Sequence, residues 1–228
     1  MSSEDGRKSV EIAINITFTH GKISLMNKYR IVKTTIFENV VEKSRFIAVL
    51  VALQSENDYK DEILKIKKRW PKARHYPYAF VYDERSQSND DGEPSGTCGR
   101  PLLSLLDNHQ LNRVLIVVVR YFGGVKLGAG RLLRTYVDTA NQAIIQAELL
   151  QEISGFHSEY ELDFSQAQII QNKISYYPDI QLKMDYTNKV RVQITSPVDV
   201  TELINEWLQG KILPLFIEKT LMLVPKSL

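Results

Sequence analysis

The sequence contains a single cysteine, Cys98, among its 228 residues. One cysteine excludes a framework of internal disulfides and is typical of a protein in a reducing cytosol, so we expect a cytoplasmic location. No uninterrupted apolar run approaches the ~20 residues that a membrane helix needs. Residues 2–6 are polar and acidic, unlike the start of a secretory signal. The sequence therefore predicts no membrane association.

Charge is divided unevenly along the chain. Residues 1–150 hold 22 Lys/Arg against 17 Asp/Glu, whereas residues 151–228 hold 7 against 10. The hydrophobic content of 43% is ordinary for a globular protein, which excludes a disordered acidic or basic chain. The basic balance of the first part indicates that this part meets an acidic partner.

The hydrophobic patterning predicts an α+β protein with two domains. Between residues 26 and 152 it indicates two antiparallel strands that flank a polar break near residues 42–45, a helix from Ser55 to Pro71, strands over residues 79–82 and 113–122, and a helix over residues 129–150. Residues 156–228 follow the order β-α-β-β-α-β, which is the ferredoxin-like arrangement. Residues 1–25 fit poorly with the pattern of the later residues, and we expect a flexible extension or an upstream start before Met26.

A long segment over residues 83–101 is rich in Ser, Asp, Gly and Pro, and unstructured connections of this length are often functional. Its carboxylates could bind a hard cation or serve as general acid and base. They could equally anchor a turn whose bends are set by glycines. The candidate residues of this loop are the carboxylates Asp90, Asp91 and Glu93 and the glycines Gly92 and Gly96. Because no His/Asp pattern accompanies them, we predict neither a metal nor a cofactor.

Two further residues of this segment invite functional interpretation. Cys98 has no local activation motif, and a lone cysteine is more often a small packed residue than a nucleophile. Arg100 lies between Gly99 and Pro101. Its guanidinium would suit bidentate contact with phosphate, or a structural salt bridge to a loop carboxylate.

The most informative stretch is residues 120–134, which joins an apolar strand to an amphipathic helix. It carries four glycines, Gly123, Gly124, Gly128 and Gly130, and four cations, Arg120, Lys126, Arg131 and Arg134. The spacing fits neither the Walker A loop nor the dinucleotide fingerprint. Glycines before a helix N-terminus favour an anion, although they could serve helix–strand packing alone. We interpret the junction as a phosphate site on a nucleic acid or a small ligand.

A second basic segment contains seven Lys/Arg within residues 60–74 and is followed by His75, Tyr76 and Tyr78. Cations beside aromatic rings are used by proteins that bind single-stranded nucleic acid. A solvated helix face with tyrosines in the core explains the pattern equally well. The candidates for nucleic-acid contact here are Lys67, Lys68, Arg74 and His75.

Together the motifs resemble the IMPACT/YigZ family. The residues that carry the resemblance are 90–101 and 120–128, supported by 43–48 and 74–75, and the match covers about residues 26–228. It implies an N-terminal two-layer α/β domain like that of a small-subunit ribosomal protein and domain IV of elongation factor G. The C-terminal domain would resemble domain V of that factor. Cys98 departs from the alanine expected in the family.

The resemblance also implies a role in translation or its regulation. Eukaryotic members act through an extra N-terminal module that binds partners of a starvation-sensing kinase, and we do not expect that mechanism here. Our first hypothesis is an RNA- or ribosome-associated regulator. The alternatives are an enzyme or ligand-binding protein for a phosphorylated small molecule, and an adaptor whose C-terminal domain binds another protein. The sequence favours a non-enzyme and leaves the oligomeric state open.

Overall fold

The structure is a computed structural model that describes residues 28–210 and 212–225. The predicted extension over residues 1–25 lies outside the described residues. Ten strands and five helices occur in the described chain: β1 (Lys28–Ile31), β2 (Thr35–Val41), β3 (Ser44–Ala52), α1 (Asp58–Arg69), β4 (Tyr78–Tyr82), β5 (Arg85–Asn89), α2 (Gly99–Asn108), β6 (Val114–Tyr121), α3 (Ala129–Ile145), β7 (Leu149–Leu162), α4 (Phe164–Ile174), β8 (Gln181–Tyr186), β9 (Val190–Ser196), α5 (Thr201–Leu208) and β10 (Phe216–Pro225).

The N-terminal sheet has the order β2-β3-β6-β4-β5, with antiparallel pairing throughout. Its central strands β3 and β6 are apolar at nearly every position because both faces of the sheet are covered. On one face Phe46, Ala48 and Leu50 pack with α2 and α3, and on the other Ile47 and Val49 pack with α1. The mixed α/β class is confirmed, and α1 adds a third layer to the two that the resemblance implied.

Two element boundaries differ from the sequence prediction. Residues 83–101 are not one long loop, because β5 pairs with β4 and α2 begins at Gly99, which leaves a two-residue turn at 83–84 and an irregular segment at 90–98. The helix predicted over residues 129–150 ends at Ile145, and β7 begins at Leu149. In both places the local composition did not indicate a strand, because the strand conformation depends on pairing with β4 for β5 and with β1, β9 and β10 for β7.

The C-terminal sheet confirms the ferredoxin-like order. β7 pairs with β9 on one edge and with β10 on the other, and β8 pairs with β9. Alternate residues of β9, Val190, Val192 and Ile194, pack under α4 and α5, and none of the five helices of the described residues packs on the opposite face of this sheet. At the start of α4, Asp163 and Gln166 form a reciprocal capping box. No helix in residues 28–210 and 212–225 is long and apolar enough to cross a membrane.

One strand of the C-terminal sheet crosses the predicted boundary between the two parts of the chain. β7 runs without a break through the predicted domain boundary at residues 152–156, and its first half pairs with β1. Glu152 in β7 pairs with Arg30 of β1, and its other carboxylate oxygen accepts a hydrogen bond of 3.1 Å from Asn112 beside β6. The division into residues 26–152 and 156–228 stays a prediction, with β7 shared between the two parts.

Candidate functional site

A cleft of about 410 Å³ opens where the end of β6, the loop over residues 90–98 and the start of α3 meet. The cleft brings together residues from two segments that the sequence pattern indicated separately, residues 83–101 and 120–134. The residues that line it are Arg74, His75, Gly92, Glu93, Pro94, Arg120, Phe122, Lys126, Leu127, Gly128, Ala129 and Leu132.

The wall of the cleft contains a buried ion pair. The Arg120 side chain is 7% exposed, that of Glu93 is 4% exposed, and Nη1 of Arg120 donates a hydrogen bond of 2.6 Å to Oε1 of Glu93. The hydroxyl of Tyr136 donates to the same oxygen over 2.8 Å. Burial, reinforced by the Glu93 charge, raises the pKa of Tyr136 far above its ordinary value, so this tyrosine stays a donor. The pair fixes the loop carrying Glu93 against β6 and α3.

Asp91 positions the imidazole of His75. The main-chain oxygen of Asp91 lies 2.8 Å from Nδ1 of His75, while the Asp91 carboxylate accepts the amide hydrogen of Tyr76 over 2.7 Å. Lys67 adds an ion pair with Asp91 at 3.7 Å. The histidine is half-buried and lines the cleft. Its hydrogen bond to Asp91 fixes its orientation relative to the loop over residues 90–98.

Asp90 acts as an anchor for the start of α2. Its carboxylate accepts hydrogen bonds from the backbone amides of Gly96, Cys98 and Gly99 over 2.8–2.9 Å. Burial raises the pKa of Asp90, but the three amide donors outweigh that effect and hold the pKa below its usual value. The carboxylates at 90, 91 and 93 therefore all have structural partners within the described residues.

Cys98 is fully buried, and burial raises the pKa of its thiol to about 12. A thiol that stays protonated at neutral pH is a poor nucleophile, which agrees with its interpretation as a packed residue. No group of three or more His, Cys, Asp or Glu side chains in the described part of the chain has the geometry to hold a metal ion.

The mouth of the cleft is cationic. Arg74 and Lys126 are exposed, and neither forms an ion pair within residues 28–210 and 212–225. The guanidinium of Arg74 lies 5.6 Å from the ring centre of Phe122, which is 38% exposed. Helix α3 begins beside them at Gly128, with no side chain capping its first amides. The mouth therefore combines uncompensated positive charge with the positive end of a helix dipole.

The four predicted glycines have different roles. A methyl group on Gly123 would overlap the backbone of Lys43 in the β2–β3 turn, so Gly123 is required for packing. Methyl groups on Gly124, Gly128 and Gly130 would meet nothing within 4 Å. Gly124 and Gly128 have positive φ angles of 89° and 75°, which glycine adopts without strain. Gly130 has neither a close contact within the described residues nor a positive φ angle that would require glycine, so the space beside it is open.

Several predicted phosphate contacts lie outside the cleft lining. Arg100 is exposed on α2, and within the described residues it has no ion pair with a loop carboxylate. Arg131 pairs with Glu42 at 2.9 Å, and Nε of Arg134 donates to the carbonyl oxygen of Gly130 over 3.3 Å. Lys67 and exposed Lys68 lie on α1. The site assignment for all these residues stays a prediction.

Sequence reasoning missed two parts of the site. The hydrophobic pattern places Phe122 at the end of a strand, although an aromatic residue before two glycines could have indicated an exposed ring. The same pattern assigns Tyr136 to the core face of α3, which is correct, but its bond to Glu93 depends on a contact 43 residues away in sequence. Tyr76 is only 9% exposed and its hydroxyl donates to Trp70, so its ring is part of the core.

Fold and site together define a class: mixed α/β proteins in which a three-layer half with a cationic cleft is joined to a ferredoxin-like half. The profile of the Impact N-terminal domain matches residues 42–144. An IMPACT family member of Haemophilus influenzae is 37% identical over 160 residues, covering 67% of this chain and 77% of its own length. IMPACT family member YvyE of Bacillus subtilis is 33% identical over 174 residues, covering 75% and 80%.

The chain therefore belongs to the IMPACT family, as its motifs indicated. A solved crystal structure of a hypothetical protein shares the fold, with a TM-score of 0.55 and 23% identity over 88% of this chain and 98% of the other.

Proposed function

We propose that this protein is an RNA- or ribosome-associated regulator of translation that binds polyanionic nucleic acid across the mouth of the cleft. The observation that carries the proposal is the uncompensated charge of Arg74 and Lys126 beside the open N-terminus of α3. A fold gains nothing from holding like charges together without acidic partners, whereas a phosphate chain would neutralise them and release its counterions.

The neighbouring surface supports a ligand longer than one phosphate. Lys68 on α1 and Arg134 on α3 are further exposed cations of this half, and Phe122 offers a ring on which a base could stack. Membership of the IMPACT family supports the setting in translation and a cytoplasmic location. The exposed sheet face of the ferredoxin-like half is the place that we propose for a protein partner.

The size of the cleft favours a second candidate, a protein that binds or acts on a phosphorylated small molecule. A volume of about 410 Å³ lies in the range of small-ligand pockets. Thermal unfolding with nucleotides, in the presence and absence of Mg²⁺, distinguishes the two: stabilisation by a nucleotide without any binding of RNA would favour the small ligand.

The direct test is RNA binding measured by fluorescence anisotropy at 50 and 200 mM salt. For the double variant Arg74→Ala/Lys126→Ala we expect affinity for a single-stranded RNA to fall on the order of tenfold or more, and the salt slope to decrease by about 2. Stability should hardly change, because neither side chain has an ion-pair partner in the described residues.

The matched control is Lys183→Ala/Lys189→Ala in the C-terminal half, which removes the same charge from residues paired with Asp185 and Glu161. It should leave affinity and salt slope nearly unchanged. Equal losses in the two double variants, or RNA binding that is insensitive to salt, would contradict the proposal.

A further inference from the structure

The hydrogen bond to Asp91 fixes the tautomer of His75. A carbonyl oxygen only accepts, so Nδ1 of His75 must carry the proton that bridges the 2.8 Å to the Asp91 oxygen. In the neutral ring, Nε2 is then the nitrogen with a lone pair, and it has no protein partner among the described residues. A methyl group on Gly92 would lie 3.5 Å from the ring, so the ring packs against the loop. His75 therefore presents Nε2 as a hydrogen-bond acceptor in a fixed orientation in the cleft lining.

Arg120 leaves a second unsatisfied group in the wall of the same cleft. Its side chain is 93% buried and bonds to Glu93 through Nη1, while Nε has no hydrogen-bond partner within residues 28–210 and 212–225. Buried donors are nearly always paired, because an unpaired one loses its hydration without compensation. The rings of Phe46 and Phe122 lie 5.3 and 5.6 Å from the guanidinium, and neither supplies an acceptor oxygen.

The N-terminus of α3 supplies the third element. Leu132 is the first residue whose amide bonds back to Gly128, over 2.9 Å, so the amides of the first turn are directed outwards without an intrahelical partner. Gly128 and Gly130 leave open space around these amides. An anion can therefore approach the backbone more closely here than at a helix start with side chains.

We propose that the cleft binds a single phosphomonoester group, the terminal phosphate of an RNA chain or of a free nucleotide. The α3 amides and Lys126 would contact its oxygens, and His75 Nε2 would share one proton with it. For the RNA source, this inference rests on the proposed function. A phosphodiester within a chain needs room for the chain to continue on both sides of the phosphate. The buried pair Arg120–Glu93 and the buried Leu132 close this cleft at the back.

The chemistry of the proton separates a monoester from a diester. A phosphomonoester has a second pKa near 6, whereas a diester does not titrate near neutral pH. A monoester that keeps one proton can donate it to Nε2 in a charge-assisted hydrogen bond. Affinity should therefore decline at pH values well above the second pKa of the phosphate, where the monoester has lost that proton. The other charged groups around the histidine are Lys67, Arg74, Asp91, Glu93, Arg120 and Lys126.

The experiment compares single-stranded RNAs of one sequence that carry a 5′-phosphate, a 3′-phosphate or only hydroxyl ends, by anisotropy at pH 6.5 and 8.5. We expect one phosphorylated end to improve affinity about tenfold at pH 6.5, the effect of one charge-assisted hydrogen bond. The gain should shrink at pH 8.5 and be largely lost in His75→Gln. His157→Gln is the matched control, since His157 lies in β7 against Thr195, far from the cleft lining.

Competition with AMP and with inorganic phosphate separates the two sources of the phosphate. RNA that binds equally with or without a terminal phosphate overturns this inference and leaves the proposed function standing. Binding of AMP without binding of RNA supports the inference for a small ligand and overturns the proposed function. A terminal-phosphate preference that survives in folded His75→Gln overturns the role of His75. If that variant does not fold, the wild-type pH profile tests the same point.

Discussion

In the C-terminal half, Lys189 lies 2.8 Å from Glu161 and Lys183 lies 3.8 Å from Asp185, so these two lysines have acidic neighbours. At the mouth of the N-terminal cleft, Arg74 and Lys126 have no such neighbour in the described part of the chain. Both regions are solvent-exposed, and both carry cationic side chains. Compensation, more than charge itself, is therefore the basis on which we propose the mouth of the cleft as the surface for an anionic partner.

The largest effect should come from breaking the buried pair of the cleft. Arg120→Ala leaves the Glu93 carboxylate buried without its cation, and we expect a loss of about 3–5 kcal/mol in the free energy of unfolding, measured with urea. Lys189→Ala removes an exposed partner and should change stability little. Similar losses in both variants would mean that the two halves do not differ in how their charges are held.

A smaller loss is expected for Asp90→Asn. Its carboxylate serves three backbone amides, and charge-assisted hydrogen bonds of this kind suggest a loss of about 2 kcal/mol at pH 7. Because the folded-state pKa of Asp90 is lowered, its contribution is complete above the unfolded value of about 3.9 and disappears as the pH falls through the folded value.

The urea-derived difference between wild type and Asp90→Asn should therefore shrink below pH ~4. Asp163→Asn, which alters the cap of α4 in the other half, should cost less at pH 7 because its carboxylate accepts from one backbone amide. A difference for Asp90→Asn that is independent of pH would show that the ionised form is not what anchors α2.

The smallest effect compares two glycines. Gly130→Ala adds a methyl group to an open position of α3 and should stabilise the protein by up to about 1 kcal/mol, while weakening RNA binding. Gly155→Ala in β7 places its methyl group 2.7 Å from the carbonyl oxygen of Ser196 and should destabilise without a specific effect on binding. Thermal unfolding and anisotropy on the same samples give both readouts. If Gly130→Ala binds RNA as tightly as the wild type, the open space at Gly130 would no longer support the cleft as the RNA-binding site.

Much of the fold could be predicted because it depends on local pattern. The run Val114–Tyr121 is apolar on both faces, which predicts a strand covered by helices on both sides of the sheet. The alternation in Val190–Ser196 predicts a strand with one covered face. β5 escapes such prediction, since its sequence RSQSN contains no apolar residue and its strand conformation depends on pairing with β4.

The sequence by itself determined the family, the ferredoxin-like order and the glycine- and arginine-rich junction before α3, because each is written in neighbouring residues. Only the tertiary structure decided which charges are free. Arg120 and Glu93 are 27 residues apart and His75 and Asp91 are 16 apart, yet the pairing of β6 beside the 90–98 loop brings them into one cleft. Burial then commits Arg120 to the wall and leaves Arg74, Lys126 and His75 Nε2 without a partner among the described residues, a distinction that depends on distance and solvent access in three dimensions.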